Sequence, residues 1–314
     1  MAGNIEPGIE DRGSKIEDRG SRTAEHTDRS SIFHPRTSIR RVLRLWKLYT
    51  IMDFTFVAAD LRLAVVYFIS DFISHFAGIT AMLLLAERFA GIGAWTRDQV
   101  LFMLGYASTV GGLLSLFFGY NVLMISRRIG RGQLDHTLVQ PQPVWMALLT
   151  EGFMPISNLI ILIPGGALLV LAASRLELAI SAGWLALLAI NMLASCAIVL
   201  AFSFAWGSLA FWAPRAAEEV SSSATGILSE LKMFPLDGLG PLLLGSLSTA
   251  LPVSFVAWYP CRALLGLDTT TWGVWVTPLA ALLLGTIAVW IFQKGMHYYG
   301  RTGSQRYSDL GHRG

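Results

Sequence analysis

Five long apolar runs dominate the chain, at residues 63–86, 100–125, 144–173, 178–211 and 272–292. Each reaches the roughly 20 residues that a helix needs to cross a hydrocarbon layer, so each reads as a membrane span. Residues 213–267 are less regular, with apolar pieces broken by Pro214, Pro235, Pro241, Pro252 and Pro260 and by Gly238 and Gly240. That pattern predicts a sixth crossing from near Pro214 to near Pro235. A re-entrant hairpin over residues 238–267 then dips into the membrane and returns to the same face. The alternative division makes residues 241–257 the crossing helix and leaves 218–232 as a loop, with the same topology.

The polar segments complete the plan. Residues 1–37 carry a tandem heptad, IEDRGSK from Ile9 and IEDRGSR from Ile16, with mixed charge and no apolar period. They read as a disordered cytoplasmic tail rather than a cleaved secretory signal. Residues 38–60 predict an amphipathic helix in the headgroup layer. Ile39, Val42, Leu43, Trp46, Tyr49 and the Asp53–Phe54 pair follow helical spacing on one side, and Arg40, Arg44 and Lys47 lie on the other. The expected fold is therefore an all-α membrane protein: an interfacial helix, a six-helix domain over residues 61–297, and a cytoplasmic tail over 298–314.

One insert departs from the apolar pattern, RRIGRGQLDHTLVQP at residues 127–141. Gly130 and Gly132 permit a sharp bend out of a helix. Gln133 to Val139 then suffices for about two helical turns, stopped by Pro141. Hydrophobic residues make up 54% of the chain, charged ones 14%, and mean hydropathy is +0.54, so such an insert belongs in water at one membrane face. With the N-terminus inside, 19 of the 24 lysines and arginines fall on inner segments. Only Arg88, Arg97, Arg175 and Arg262 fall outside, with Lys232 unassigned. This bias puts residues 127–141 and both termini in the cytoplasm and requires an even number of crossings.

Catalytic chemistry finds no foothold. No GxxxxGK[ST] loop, HExxH or GxSxG is present, and no His, Cys and carboxylate cluster has ligand spacing, so neither a catalytic residue nor a metal site is expected. Cys196 and Cys261 sit in different segments without metal or redox spacing. Asp71 and His75 share one face of the first span, either as a proton-relay pair or as a pair hydrogen-bonded within the bundle. Asn121, Asn158 and Asn191 read as helix-to-helix glue or, alternatively, as lining of a substrate path. Glu151 requires a partner. Glu218 and Glu219 read as carboxylates capping the start of the sixth crossing. Trp95, Trp145, Trp184, Trp212, Trp258, Trp272 and Trp275 lie near span ends, as an interfacial belt would.

The order and spacing of these parts resemble the membrane subunits of ABC-2 type transporters, bacterial permeases encoded apart from their ATPase. The resemblance runs from about Ser38 to the C-terminus. It rests on IGRGQLDHTLVQP at 129–141, similar to the family's GxLDxxLxxP segment, and on FPLDGLG at 234–240 followed by LPVSFVAWYP at 251–260. It implies an exporter in the bacterial inner membrane, with two ATPase subunits that bind ATP and Mg, and a second permease, identical or related. The chain itself would hold no cofactor and meet no nucleic acid. Gly130, Gly132, Leu134, Asp135, Leu138 and Pro141 would form the helix that docks on the ATPase. Leu134 and Leu138 would share an apolar face, with Asp135 and His136 at its rim. The expected cargo is amphipathic or lipid-like. The competing class is a proton-coupled secondary transporter using Asp71 and His75.

Overall fold

The computed structural model describes residues 39–88, 94–118, 125–140, 143–150, 155–268 and 272–303. The expected tail at 1–37, the last residues of the expected C-terminal tail, and Asn121, Pro141 and Glu151 lie outside them. Among the described residues the chain is helical, without strands.

Helix starts follow local capping chemistry. The helices α1 (Ile39–Ala59) and α2 (Leu61–Arg88) are parted by Asp60, whose carboxylate accepts the Leu63 N–H at 3.0 Å. At the start of α3 (Arg97–Phe118), Thr96 and Gln99 form a reciprocal box. The Thr96 N–H donates to Gln99 Oε1 at 2.9 Å, and the Gln99 N–H donates to Thr96 Oγ1 at 3.4 Å. The expected third run is divided into α6 (Val144–Thr150) and α7 (Pro155–Arg175), preceded by the short α4 (Ile125–Gly130) and α5 (Leu134–Leu138). Ser181 caps α8 (Ala182–Ser208), accepting the Trp184 N–H at 3.1 Å, and a 3-10 turn at Leu209–Phe211 extends that helix.

Prolines set the next starts. Pro214 opens α9 (Pro214–Leu231) and Pro241 opens α10 (Pro241–Thr249), positions where a missing N–H costs nothing. A π-helical turn at Ser254–Trp258 runs into α11 (Tyr259–Leu264), and α12 (Gly273–Thr302) ends at Gly303 with φ +70°. α12 runs on through Thr302, past residue 297 where the expected six-helix domain ends.

Among the described residues four helices are long and apolar enough to cross a membrane: α2 over Leu61–Leu84, α3, α8 with its 3-10 extension, and α12. A fifth candidate is α10 with Ser254–Leu264, bent by 85° at the break between them. The helix that the alternative division expects over 241–257 is thus broken at residues 250–253. α9 forms where the sixth crossing was expected, but its serines and glutamates keep it out of the apolar set. In α7 the apolar stretch is the shorter Ile161–Arg175.

The tightest seam joins α3 to α7, where backbones meet through glycine. A Cβ built on Gly105 would stand 2.5 Å from Leu169 N, and one on Gly165 2.8 Å from Thr109 N. Small residues allow this approach in a bundle where apolar burial gives helices little preference for each other over lipid. Around the seam lies the main core, including Phe102, Tyr106, Ile198 and Val256.

Two ends of the bundle can be told apart. Arg175 pairs with Asp98 at 3.6 Å, which sets the last turn of α7 beside the first turn of α3. At the opposite end α1 lies against α7: Asp53, 3% exposed, accepts the Ile156 N–H at 2.7 Å. Pro155 has no N–H, so Asp53 satisfies the first free donor of α7 and places a negative charge at its positive end. Asp53→Ala is expected to lower stability by about 1–2 kcal/mol, read by thermal unfolding in detergent. An unchanged melting temperature would mean the contact contributes nothing.

Candidate functional site

The α4–α5 segment is built as a bend followed by a short helix. Gly132 has φ +69°, a left-handed conformation that side chains disfavour, while Gly130 is the last helical residue of α4. The Gly132 N–H donates to the Ile129 carbonyl at 3.1 Å and the Gln133 N–H to that of Arg128 at 3.0 Å, the Schellman pattern that ends a helix. The α5 helix then spans Leu134–Leu138, shorter than the stretch expected from the sequence.

Its two leucines do not present a joint outer face. Leu134 is 0% exposed and packs with Ile125, Ile129, Phe211 and Tyr299 in a second core cluster. Leu138 is 44% exposed and Val139 83% exposed. α5 has little more than one turn, so its first leucine reaches the core and the second lies past the core edge. The outward surface is thus His136, Leu138 and Val139, with Thr137 turned inward.

Tertiary contacts tie this segment to two helices. The Tyr299 hydroxyl of α12 donates to Asp135 Oδ1 at 2.5 Å, so Asp135 faces inward rather than forming a free rim. On the other side, Arg127 Nε donates to Glu218 Oε1 of α9 at 2.9 Å, with Arg131 Nη2 at 3.9 Å. Glu218 therefore bridges α9 to α4 instead of capping α9, and Glu219 is exposed.

A cavity of about 440 Å³ opens near this end of the bundle. Its lining includes Trp46 and Tyr49 of α1, Phe117 of α3, Trp145 of α6, and Leu193 and Cys196 of α8. Trp46 stacks on Phe117 with centroids 6.4 Å apart, so α1 forms one wall of the space.

The opposite end carries a polar node that sequence reasoning did not single out. Asp237, between α9 and α10, accepts hydrogen bonds from the indole N–H groups of Trp95 and Trp258, the latter at 2.6 Å, and pairs with Arg262. Arg262 Nε also donates to Asp268 Oδ1 at 2.8 Å, and its guanidinium lies 5.0 Å from the Trp258 ring centroid. Trp95 and Trp258 are thus buried clasp residues, not members of a belt. The Trp184 indole donates to the Leu264 carbonyl at 3.0 Å, and Trp145 lines the cavity, while Trp212, Trp272 and Trp275 are exposed as a belt requires. The signal available in the sequence was the FPLDGLG motif itself, which places one carboxylate between two breakers.

The other expected site residues separate. Asp71 lies on the exposed side of α2, and the side chain of His75 lies outside the described residues, as do Asn121 and Pro141. Asn158 donates to the Ser115 carbonyl at 3.2 Å, joining α7 to α3 as glue. Asn191 is 0% exposed and donates to the Leu187 carbonyl of its own helix at 3.0 Å, and its buried Oδ1 has no hydrogen-bond partner among the described residues. Neither asparagine borders the cavity. Among the described residues no group of three His, Cys, Asp or Glu could hold a metal ion.

The family model described as ABC-2 family transporter protein matches residues 41–303. The chain belongs to the ABC-2 family of transporter proteins. No curated protein and no solved structure shows significant similarity to it. The match begins inside α1 and ends at Gly303, where α12 stops, so every described element of this ABC-2 membrane protein falls within it apart from the first two residues of α1. Its apolar helices make it a multi-pass membrane protein.

Proposed function

We propose that this chain is the permease subunit of an ATP-driven exporter, using the α4–α5 segment to receive force from a separate ATPase. The observation that carries the reading is the construction of that segment. An exposed tip, Leu138 and Val139, stands on a buried base, Leu134, and the base is joined to α12 through Asp135–Tyr299 and to α9 through Arg127–Glu218. A surface loop with no mechanical task needs no such ties to two helices. ABC-2 membrane proteins work with ATPase partners, so ATP and Mg would bind the partner and this chain would catalyse nothing itself. The assembly would hold two ATPases and a second permease, identical or related.

Six crossings, α2, α3, α6 with α7, α8, α9 and α12, with α10–α11 as the re-entrant piece, fit the basic-residue bias. They put both termini and the coupling segment on the inner side of a bacterial plasma membrane. α9 then crosses with its exposed serines and glutamates, Glu219, Ser222, Ser223, Ser229 and Glu230, turned to the second permease or to a hydrated path rather than to lipid. An amphipathic or lipid-like cargo agrees with the almost wholly apolar cavity beside interfacial α1.

Replacing both Leu138 and Val139 by Asp is expected to abolish co-purification with the partner ATPase while thermal unfolding of the permease stays unchanged, because both side chains already face water. Leu134→Asp should instead destabilise the permease itself, since it buries an unpaired carboxylate. Retained ATPase binding by a well-folded double variant would sink the docking assignment.

A further inference from the structure

Basic residues gather where α12 leaves its apolar stretch, and they fall on one side of the helix. Trp290, Lys294, His297 and Arg301 are spaced four, three and four apart, which aligns them along a single face, and all four are exposed. The opposite face, with Phe292, Met296 and Tyr299, is buried in the second core cluster, where Tyr299 holds Asp135 of α5. Lys294 Nζ lies 3.8 Å from the centroid of the Trp290 ring, a cation–π contact that keeps the ammonium against the helix. Among the described residues none of Lys294, His297 and Arg301 makes a salt bridge.

A shallow groove of about 400 Å³ runs along α12 toward this face. Two neighbouring rows of side chains line it, each with a spacing of four: Ala281, Gly285, Val289 and Gln293 in one, Leu282, Thr286 and Trp290 in the other. The next residue of the first row is His297, and the next of the second is Lys294. Helix geometry therefore leads the groove onto the basic face. Its notch is Gly285, where a Cβ would meet nothing within 4 Å. The Thr286 hydroxyl donates to the Leu283 carbonyl at 2.7 Å, so its donor is used within the helix and the groove stays apolar as far as Gln293. Lys294 is twenty-one residues beyond Gly273, about 31 Å along the helix, which nearly equals the roughly 30 Å of a hydrocarbon layer. The groove, about 18 Å from Ala281 to Gln293, thus lies mainly in the leaflet at the C-terminal end of α12.

We infer that α12 binds an anionic glycerophospholipid of that leaflet, with one acyl chain in the groove and the headgroup phosphate at Lys294, His297 and Arg301. An alkyl chain matches an apolar channel of about one leaflet's depth. Two exposed cations and an imidazole at its mouth favour a phosphate and repel a choline. Basic residues at the inner end of a span satisfy the orientation rule wherever on the helix they stand. That rule does not account for three of them on one face, at the mouth of a groove. A lipid is favoured over a free phosphate ion because the site continues into apolar surface that an ion cannot use. The assignment rests on α12 as a membrane span and goes beyond the exporter reading, which can fail without affecting it.

The test uses the full chain purified in a maltoside detergent, without any ATPase. Dioleoyl phosphatidylglycerol bound per chain is counted by native mass spectrometry, with dioleoyl phosphatidylcholine and inorganic phosphate as comparison probes. Wild type is expected to prefer phosphatidylglycerol to phosphatidylcholine by about tenfold and to retain it when inorganic phosphate is added. Lys294→Gln combined with Arg301→Gln should weaken that binding about twentyfold, at roughly fivefold per charge. Gly285→Leu, which fills the groove and leaves the charges in place, should weaken it as well, and its side chain enters open space, so the fold is kept. Arg215→Gln, which removes an exposed basic residue at the start of α9, should leave it unchanged. Equal binding of the two lipids by wild type, or unaltered phosphatidylglycerol binding by Gly285→Leu or by the double variant, would overturn the assignment. An equal loss in Arg215→Gln, or displacement of the lipid by inorganic phosphate, would do the same.

Discussion

Gly105→Leu is expected to yield little folded protein, whereas Gly166→Leu, on the facing helix, should fold nearly as wild type. The contrast comes from what each new side chain meets. At Gly105 a Cβ would stand 2.5 Å from Leu169 N and 2.7 Å from Leu169 Cα, and two turns further along α3 a Cβ on Gly112 would stand 2.6 Å from Leu162 Cα. These neighbours are backbone atoms of α7, which cannot swing aside as a side chain can. Relief requires α3 and α7 to separate along their length. Overpacking a core commonly costs about 1–3 kcal/mol, and a backbone collision in the tightest seam belongs at or above the top of that range. At Gly166 nothing lies within 4 Å, so the same side chain enters open space. Size-exclusion profiles and melting temperatures of the two variants in detergent provide the check. A monodisperse Gly105→Leu protein melting like wild type would show that the seam is looser than drawn.

Asp237→Ala should be the next most damaging change. The carboxylate is 15% exposed at its side chain and serves three donors, two indoles and the Arg262 guanidinium. Removing it leaves two buried N–H groups without acceptors and a guanidinium, 24% exposed, with Asp268 as its remaining carboxylate here. Breaking one partner of a buried ion pair costs about 3–5 kcal/mol, and this site is near that regime. Asp237→Asn should fall between wild type and Asp237→Ala, because the amide oxygen still accepts from an indole while the charge is lost. The expected readouts are the order of melting temperatures and, for Asp237→Ala, faster proteolysis around residues 237–268. Equal melting of all three proteins would mean that the clasp does not hold the α10–α11 region to the bundle.

Much of the fold was legible because its signals are local. The apolar runs became α2, α3, α7, α8 and α12. Thr96, Ser181, Pro214 and Pro241 mark helix starts through chemistry contained in a few neighbouring residues. Gly132 announced the bend that its positive φ then required. Less legible was everything that depends on partners far along the chain. Periodicity placed Leu134 and Leu138 on one docking face, but α5 stops after five residues and its base packs against Phe211 and Tyr299. The position of Trp95 and Trp258 near span ends resembled a belt, because nothing in either neighbourhood names Asp237 as their acceptor.

The sequence by itself determined that this is a helical membrane protein, that residues 127–141 form its glycine-bent polar insert, and which family it resembles. These properties follow from hydropathy, turn chemistry and residue order, all of which act over short distances. Only the tertiary structure decided that Asp135 is held by Tyr299, 164 positions away, that Asp53 satisfies α7, and that Lys232 reaches Gly111 of α3. A carboxylate or an ammonium has many chemically equivalent partners in a sequence, and the packing of helices selects which one comes within hydrogen-bonding reach.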